Sequence, residues 1–339
     1  MWHRRPSGFS LRRLLLEVSL IMKERKVDSN TRSMNSKRLP AVVAVSRQSA
    51  FTLVELLVGL ILTIFISAVA ITYMVSSSQT FRVQTADSLS HENARYALEI
   101  LSQNVRLAGL NDLQGGDVQL PSNLIYIGTG CPTDENVSIA AGAGVVRCSA
   151  DDLSAAAGPV TSDRLAIEYV ANTNMTGCNG DAIVASEANP QRLANVFWTA
   201  DLDGDSVRSL YCQTINTTAN PDAPVVAGPA LPIIDGVDSM QVQYGTVLSD
   251  ETNPSRVIQR YQSFTTLIDD SALILEAVQN IKAIRIALLV NGGLADDGDS
   301  QLELSENRSY ELLDVDIDFT ADQVLRQVYS TTIALPNAL

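Results

Sequence analysis

The chain has 339 residues, 46% hydrophobic and 18% charged, a balance that excludes intrinsic disorder and leaves material for a substantial core. Its net charge of −14 is unevenly placed: eleven Lys/Arg against three Asp/Glu fall in residues 1–50, and the remainder is strongly acidic. That acidic body lacks the clustered cations that phosphate contacts require, so no nucleic-acid contact is expected.

Residues 1–50 read as a basic leader without a fold of its own, with Met1, Met22 and Met34 all open as its start. Residues 51–75 run FTLVELLVGLILTIFISAVAITYMV, apolar but for one acid, Glu55, a few hydroxyls and one glycine. At about 1.5 Å per residue such a helix crosses a hydrocarbon layer of roughly 30 Å. A basic flank before it and an acidic body after it place the N-terminus in the cytoplasm, by the positive-inside rule. Residues 76–109 continue the helix as an amphipathic half, with Leu89, Tyr96, Ala97, Ile100, Leu101 and Val105 at three- and four-residue steps. Gly109 supplies its stop. One helix of about fifty residues is expected, far beyond the usual globular length.

From 110 to 339 the chain reads as a β-rich domain. Strands are expected at 164–171, 193–199, 206–213, 240–244, 281–290 and 324–335, with a short helix at 270–280. Segments 111–160 and 214–232 carry little pattern. Cys131, Cys148, Cys178 and Cys212 all lie beyond the apolar segment, so an even count on the exported side reads as two disulfides. Three pairings are open; neighbour pairing, Cys131 with Cys148 and Cys178 with Cys212, is the simplest. Asp201, Asp203 and Asp205 imitate the start of a calcium loop, but its twelfth position holds Cys212 instead of glutamate. A hairpin turn is the better reading there, with calcium the alternative. His91 reads as a surface residue, and neither a phosphate-loop, dinucleotide nor hydrolase fingerprint is present. No enzyme activity, cofactor or zinc site is expected.

The segment Ala50-Phe51-Thr52-Leu53-Val54-Glu55 resembles the type IV prepilin motif, in which a basic leader ends just before FTLVE. The resemblance implies cleavage between Ala50 and Phe51 by a prepilin peptidase and methylation of the new N-terminus at Phe51. Where the family has glycine before the cut, this chain has Ala50, which keeps the small size. It further implies that Glu55 pairs with the N-terminal amine of a neighbouring subunit, two charges neutralised together and the axial register set. A second set of segments is similar to the PilW family of minor pilins: Glu92–Leu101, Val105–Gly109, Asp163–Ile167, Ile234–Val242, Ile281–Leu289 and Leu325–Thr332.

Together these imply the α+β pilin fold, a long N-terminal helix packed on an antiparallel sheet. The domain reading is a removed leader (1–50), a transmembrane half-helix (51–75), an amphipathic half-helix (76–109) and a periplasmic domain (110–339). The implied role is a minor pilin that primes type IV pilus assembly at the bacterial inner membrane. Its implied partners are other minor pilins, the major pilin, the prepilin peptidase, the inner-membrane assembly platform and a tip adhesin. A minor pseudopilin of a type II secretion system, and a membrane-tethered periplasmic binding protein or adhesin, are the alternatives.

Overall fold

The computed structural model describes residues 52–110, 124–127, 148–154, 160–202, 207–219, 224–247, 257–269, 278–292, 307–320 and 324–338. Its chain divides into two compact units, Met1–Thr63 and Ile64–Leu339. Helix α1 (Leu53–Val105) is a single uninterrupted element of 53 residues. Thr52 caps it: its Oγ1 accepts the Glu55 N–H at 3.3 Å and its carbonyl accepts the Leu56 N–H. The chain leaves the helix through Gly109, whose φ of +70° is the left-handed stop the sequence predicts.

Two antiparallel sheets follow. The first is built from β1 (Ala150–Ser154), β2 (Thr161–Ala171), β5 (Gln191–Ala200) and β6 (Ser209–Asn216), with β7 (Val225–Val226) and β8 (Leu231–Asp235) both pairing with β6. The second has the order β10 (Arg260–Gln262), β9 (Val237–Thr246), β11 (Ile281–Asn291) and β14 (Arg326–Ala334). Two small ribbons complete the fold: β3 (Met175–Thr176) with β4 (Ala182–Ile183), and β12 (Arg308–Leu312) with β13 (Val315–Phe319). This is the α+β, helix-on-antiparallel-sheet architecture that the resemblance implies.

Each of the six expected strands overlaps an observed one, with boundaries displaced by a few residues. The expected helix at 270–280 falls largely outside the described residues. The short helix that is described, α2 (Phe264–Asp269), lies just before it, its first N–H groups held by the Asp151 carboxylate at 2.8 and 2.6 Å. Segments 111–160 and 214–232, low in pattern, nevertheless contain β1, β7 and the start of β8. Those strands are short, and β7 and the start of β8 are exposed, so no alternation develops.

The two sheets meet along a seam of side chains. At Gly236, with φ +80°, the chain leaves β8 of the first sheet and enters β9 of the second. A Cβ at Gly236 would stand 3.0 Å from the Asn291 carbonyl. Across the seam Ser162 Oγ accepts the Met240 N–H, Asp163 Oδ2 accepts the Val242 N–H at 2.7 Å, and Ser239 Oγ donates to the Thr161 carbonyl at 2.6 Å. Side chains of β2 thus supply the bonds a neighbouring strand would otherwise make.

Below the seam lies one core, shared by both sheets and by α1: Ala94, Ala97, Leu101 and Val105 of the helix against Leu165, Phe197, Met240, Ile284 and Leu288. The buried stripe of α1 is Ala86, Ser90, Ala94, Ala97, Leu101 and Val105. Leu89 and Tyr96, expected in that stripe, are instead 41% and 53% exposed. A small residue stands at Ala86, where the helix backbone comes close to the chain just beyond the end of β11. At Gly292 an added Cβ would fall 2.6 Å from Ala86 Cβ and 2.7 Å from its carbonyl oxygen. Gly292→Ala should therefore destabilise the domain by about 1–3 kcal/mol in urea melts. Ala86→Gly should recover part of that loss, because it removes one of the clashing groups.

Candidate functional site

The chemistry of this chain lies in what α1 exposes and in what holds its seated half. From Leu53 to Val75 every side chain of the helix is exposed, and the large apolar ones among them are 52–78% accessible. An 18-residue window of this helix has a mean hydropathy of 2.6 and no burial, so it is long and apolar enough to cross a membrane. Exposure on every face separates it from the buried core helix of a soluble protein.

Glu55 stands in the first turn of α1 and is exposed. Thr52-x-x-Glu55 has the spacing of a capping box, with Thr52 as cap and Glu55 three residues on. The positive end of the helix dipole favours a carboxylate there. This local role was missed in the sequence, although the Thr-x-x-Glu spacing was visible within the motif. Ala50 and Phe51 lie outside the described residues.

On the seated half, the outward face carries Leu89, Glu92, Arg95, Tyr96 and Glu99, all exposed. Beside it an open groove of about 460 Å³ runs between this face and Ile234, and Asn93 Nδ2 donates to the Asp235 carbonyl at its edge. His91 is exposed, as expected, and its ring lies 5.7 Å from that of Tyr329. The far end of the helix is tied down. Gly109 N–H donates to the Glu168 carbonyl, and Asn337 Nδ2 donates to the carbonyls of Arg106 and Ala108, both at 3.1 Å.

A buried polar chain joins the helix to the first sheet. Asn195 Nδ2 donates to Asn104 Oδ1 at 2.8 Å, while Asn195 Oδ1 accepts from Tyr169 at 3.2 Å and Thr214 at 2.8 Å. Burial pushes the Tyr169 phenol up to about 12, against the opposing pull of its bond to Asn195. Thr214 Oγ1 also accepts the Cys178 N–H at 3.0 Å. Cys178 and Cys212 are disulfide-bonded, with Cα atoms 6.0 Å apart, which fastens the β3–β4 loop to β6. Cys148 is fully buried and disulfide-bonded too; Cys131, its expected partner, lies outside the described residues.

A second buried cluster gathers the strand ends. Asp238 Oδ2 meets Arg326 Nε at 2.6 Å, and its Oδ1 accepts from Asn291 at 2.8 Å. Arg208 Nε donates to the Asp238 carbonyl at 2.7 Å, and its Nη2 reaches the carbonyl and Oγ1 of Thr199. The Arg326 guanidinium lies 3.8 Å from the centre of the Phe319 ring. Burial holds the Asp238 carboxyl above its usual range, although Arg326, Asn291 and Arg208 all pull the other way. Burial likewise lowers Arg208, against the attraction of Asp238 and Asp201.

Asp201 opens the connection between the paired strands β5 and β6, where the hairpin is expected; Asp203 and Asp205 lie outside the described residues. Among the described residues no group of three or more His, Cys, Asp or Glu side chains could hold a metal ion.

Residues 196–337 match the family model of the type IV pilus-assembly protein W, PilW. The match runs from β5 to the tail behind β14 and so takes in the Asp238 cluster, Cys212 and all of the second sheet. Among solved structures, a type IV-like pilin from Thermus thermophilus is 13% identical, covering 76% of this chain and 97% of its own. Its TM-score is 0.32, too loose a superposition to argue from. No curated protein matches the chain.

Proposed function

We propose that this chain is a minor pilin of the PilW kind, anchored in the bacterial inner membrane and drawn from it into a type IV pilus as a priming subunit. The observation that carries the reading is α1: one unbroken helix whose first half exposes apolar side chains on every face and whose second half is built into a folded domain. A membrane holds such a first half in the precursor, and a bundle of neighbouring subunit helices holds it in the assembled fibre. Residues 196–337 support the choice of family through their match to the pilus-assembly model.

In this reading a prepilin peptidase cuts between Ala50 and Phe51 and the new Phe51 amine is methylated. The positive charge at Phe51 and the carboxylate of Glu55 belong to adjacent subunits when the helices are in register. The periplasmic domain meets other minor pilins, the major pilin and the assembly platform, with a tip adhesin beyond them.

Two measurements test this. Intact mass of the membrane-extracted protein should correspond to a chain beginning at N-methylated Phe51; an uncut leader would overturn the processing. Glu55→Ala should leave the protein in the membrane but lower its recovery in sheared pili at least tenfold. Unchanged recovery would remove the register role of Glu55.

A further inference from the structure

The loop fastened by Cys178 brings oxygen atoms from two separate segments to one point. Between β3 and β4 the chain turns tightly at Cys178-Asn179-Gly180-Asp181. Gly180, with φ +81°, donates its N–H to the Gly177 carbonyl at 3.0 Å, and Gly177 N–H donates to the Asp181 carbonyl at 2.8 Å. This turn lies against the link between β7 and β8, residues 227–230, where Gly228 has φ +103°. An added Cβ at Gly228 would overlap the Asp181 carboxylate, so only glycine lets that carboxylate rest on this stretch of backbone.

Three acceptors converge there on one amide. Asn179 Nδ2 lies 2.7 Å from Asp181 Oδ2, 3.0 Å from the Ala227 carbonyl and 3.1 Å from the Pro229 carbonyl. An amide nitrogen carries two hydrogens, so three oxygens at bonding distance exceed what it can satisfy. Among the described residues no Lys or Arg forms an ion pair with Asp181. Asn179 is only 4% exposed, so water does not screen its side of the group. One carboxylate and two carbonyl dipoles are thus gathered around a neutral donor with too few protons.

We propose that this is a calcium site, with Asn179 Oδ1, Asp181 Oδ2 and the carbonyls of Ala227 and Pro229 as its ligands. The Asn179 amide turns over to present its oxygen. That costs little, because Oδ1 otherwise accepts only the Asp181 N–H, at 3.5 Å. After the turn Oδ1 takes the place of Nδ2, 2.7–3.1 Å from the other three oxygens. Oxygens that share a calcium ion at its usual bond lengths stand about 3 Å apart, so the spacing already suits the ion. Pro229 is exposed and Asp181 half-buried, which leaves room for water to complete the shell. Neutral carbonyl ligands favour calcium over magnesium, which keeps its own waters and demands a near-ideal octahedron. With a single carboxylate the affinity falls in the range of roughly 10⁻⁴ to 10⁻³ M. The ion clips the β3–β4 turn to the β7–β8 link, beside the disulfide that ties the same turn to β6. The site is distinct from Asp201 and does not depend on what α1 anchors.

The test uses the full-length protein in detergent, freed of metal with EDTA, and calcium chloride alone as the probe. Calcium at about 10 mM should raise the melting temperature by about 4 °C, and magnesium at the same concentration by less than about 1 °C. Asp181→Asn should abolish the calcium shift while melting within about 2 °C of the parent in EDTA. Asp203→Asn should keep the shift, which separates this site from the Asp201 loop. If Asp181→Asn fails to fold, amide hydrogen exchange of the parent protein gives the reading without a variant. Calcium should slow exchange over 177–181 and 227–230 at least tenfold and leave 201–207 unchanged. No calcium-dependent shift, an equal shift with magnesium, or protection confined to 201–207 overturns the proposal.

Discussion

Asp238→Ala is expected to destabilise the folded domain by about 3–5 kcal/mol, measured by urea unfolding. The carboxylate joins the start of β9 to the end of β11, through Asn291, and to the start of β14, through Arg326. Removing it leaves the Arg326 guanidinium, whose side chain is 9% accessible, without that counter-charge. Burial holds the Asp238 carboxyl above its usual range against the pull of Arg326, Asn291 and Arg208. A buried pair of this kind is penalised most when only one member is removed. The double variant Asp238→Ala/Arg326→Met should therefore be more stable than Asp238→Ala alone. If the two losses simply add, the cost comes from packing and not from the lost counter-charge.

Removing the Cys178–Cys212 bond is the second large effect. Its sequence separation is 34 residues, and the chain-entropy treatment of a loop that size gives about 4 kcal/mol. The double variant Cys178→Ala/Cys212→Ala should show a loss of that order in urea melts under non-reducing conditions. The helix and both sheets should persist by circular dichroism, because the disulfide holds only the β3–β4 loop to β6. That loop has other fastenings: Asn179 Nδ2 donates to the carbonyls of Ala227 and Pro229, and Thr214 Oγ1 accepts from Cys178 N. A loss below about 1 kcal/mol would mean that these bonds, and not the disulfide, hold the loop in place.

How much of this was legible in the sequence varies with the physics involved. The long helix was, because an apolar run followed by an amphipathic run needs no tertiary information. Its buried stripe was read less well. Leu89 and Tyr96 looked like core on hydrophobicity, but they are exposed, and the residue the helix brings against Gly292 is Ala86. Long two-sided strands such as β2 and β11 announced themselves as apolar runs. The two-residue strands β3, β4 and β7 did not, because nothing in so short a piece can alternate. The hardest feature to read was the seam. The segments Asp163–Ile167 and Ile234–Val242 stood out as resemblances, yet their reasons are a carboxylate accepting a strand amide, a left-handed glycine and a buried ion pair. All three depend on partners distant in sequence, such as Arg326, 88 residues from Asp238.

The fastening of α1 at its Gly109 end has a mechanical consequence. A pull applied through Ile64 and the residues after it runs along the helix axis. The far end cannot lift first, because Asn337 and the Glu168 carbonyl hold it. Tension therefore arrives as shear across the whole stripe from Ala86 to Val105, so that its contacts share the load and yield together. The same force directed away from the sheet would peel the stripe one turn at a time. The seated half of the helix thus resists a pull along its own axis better than one across it.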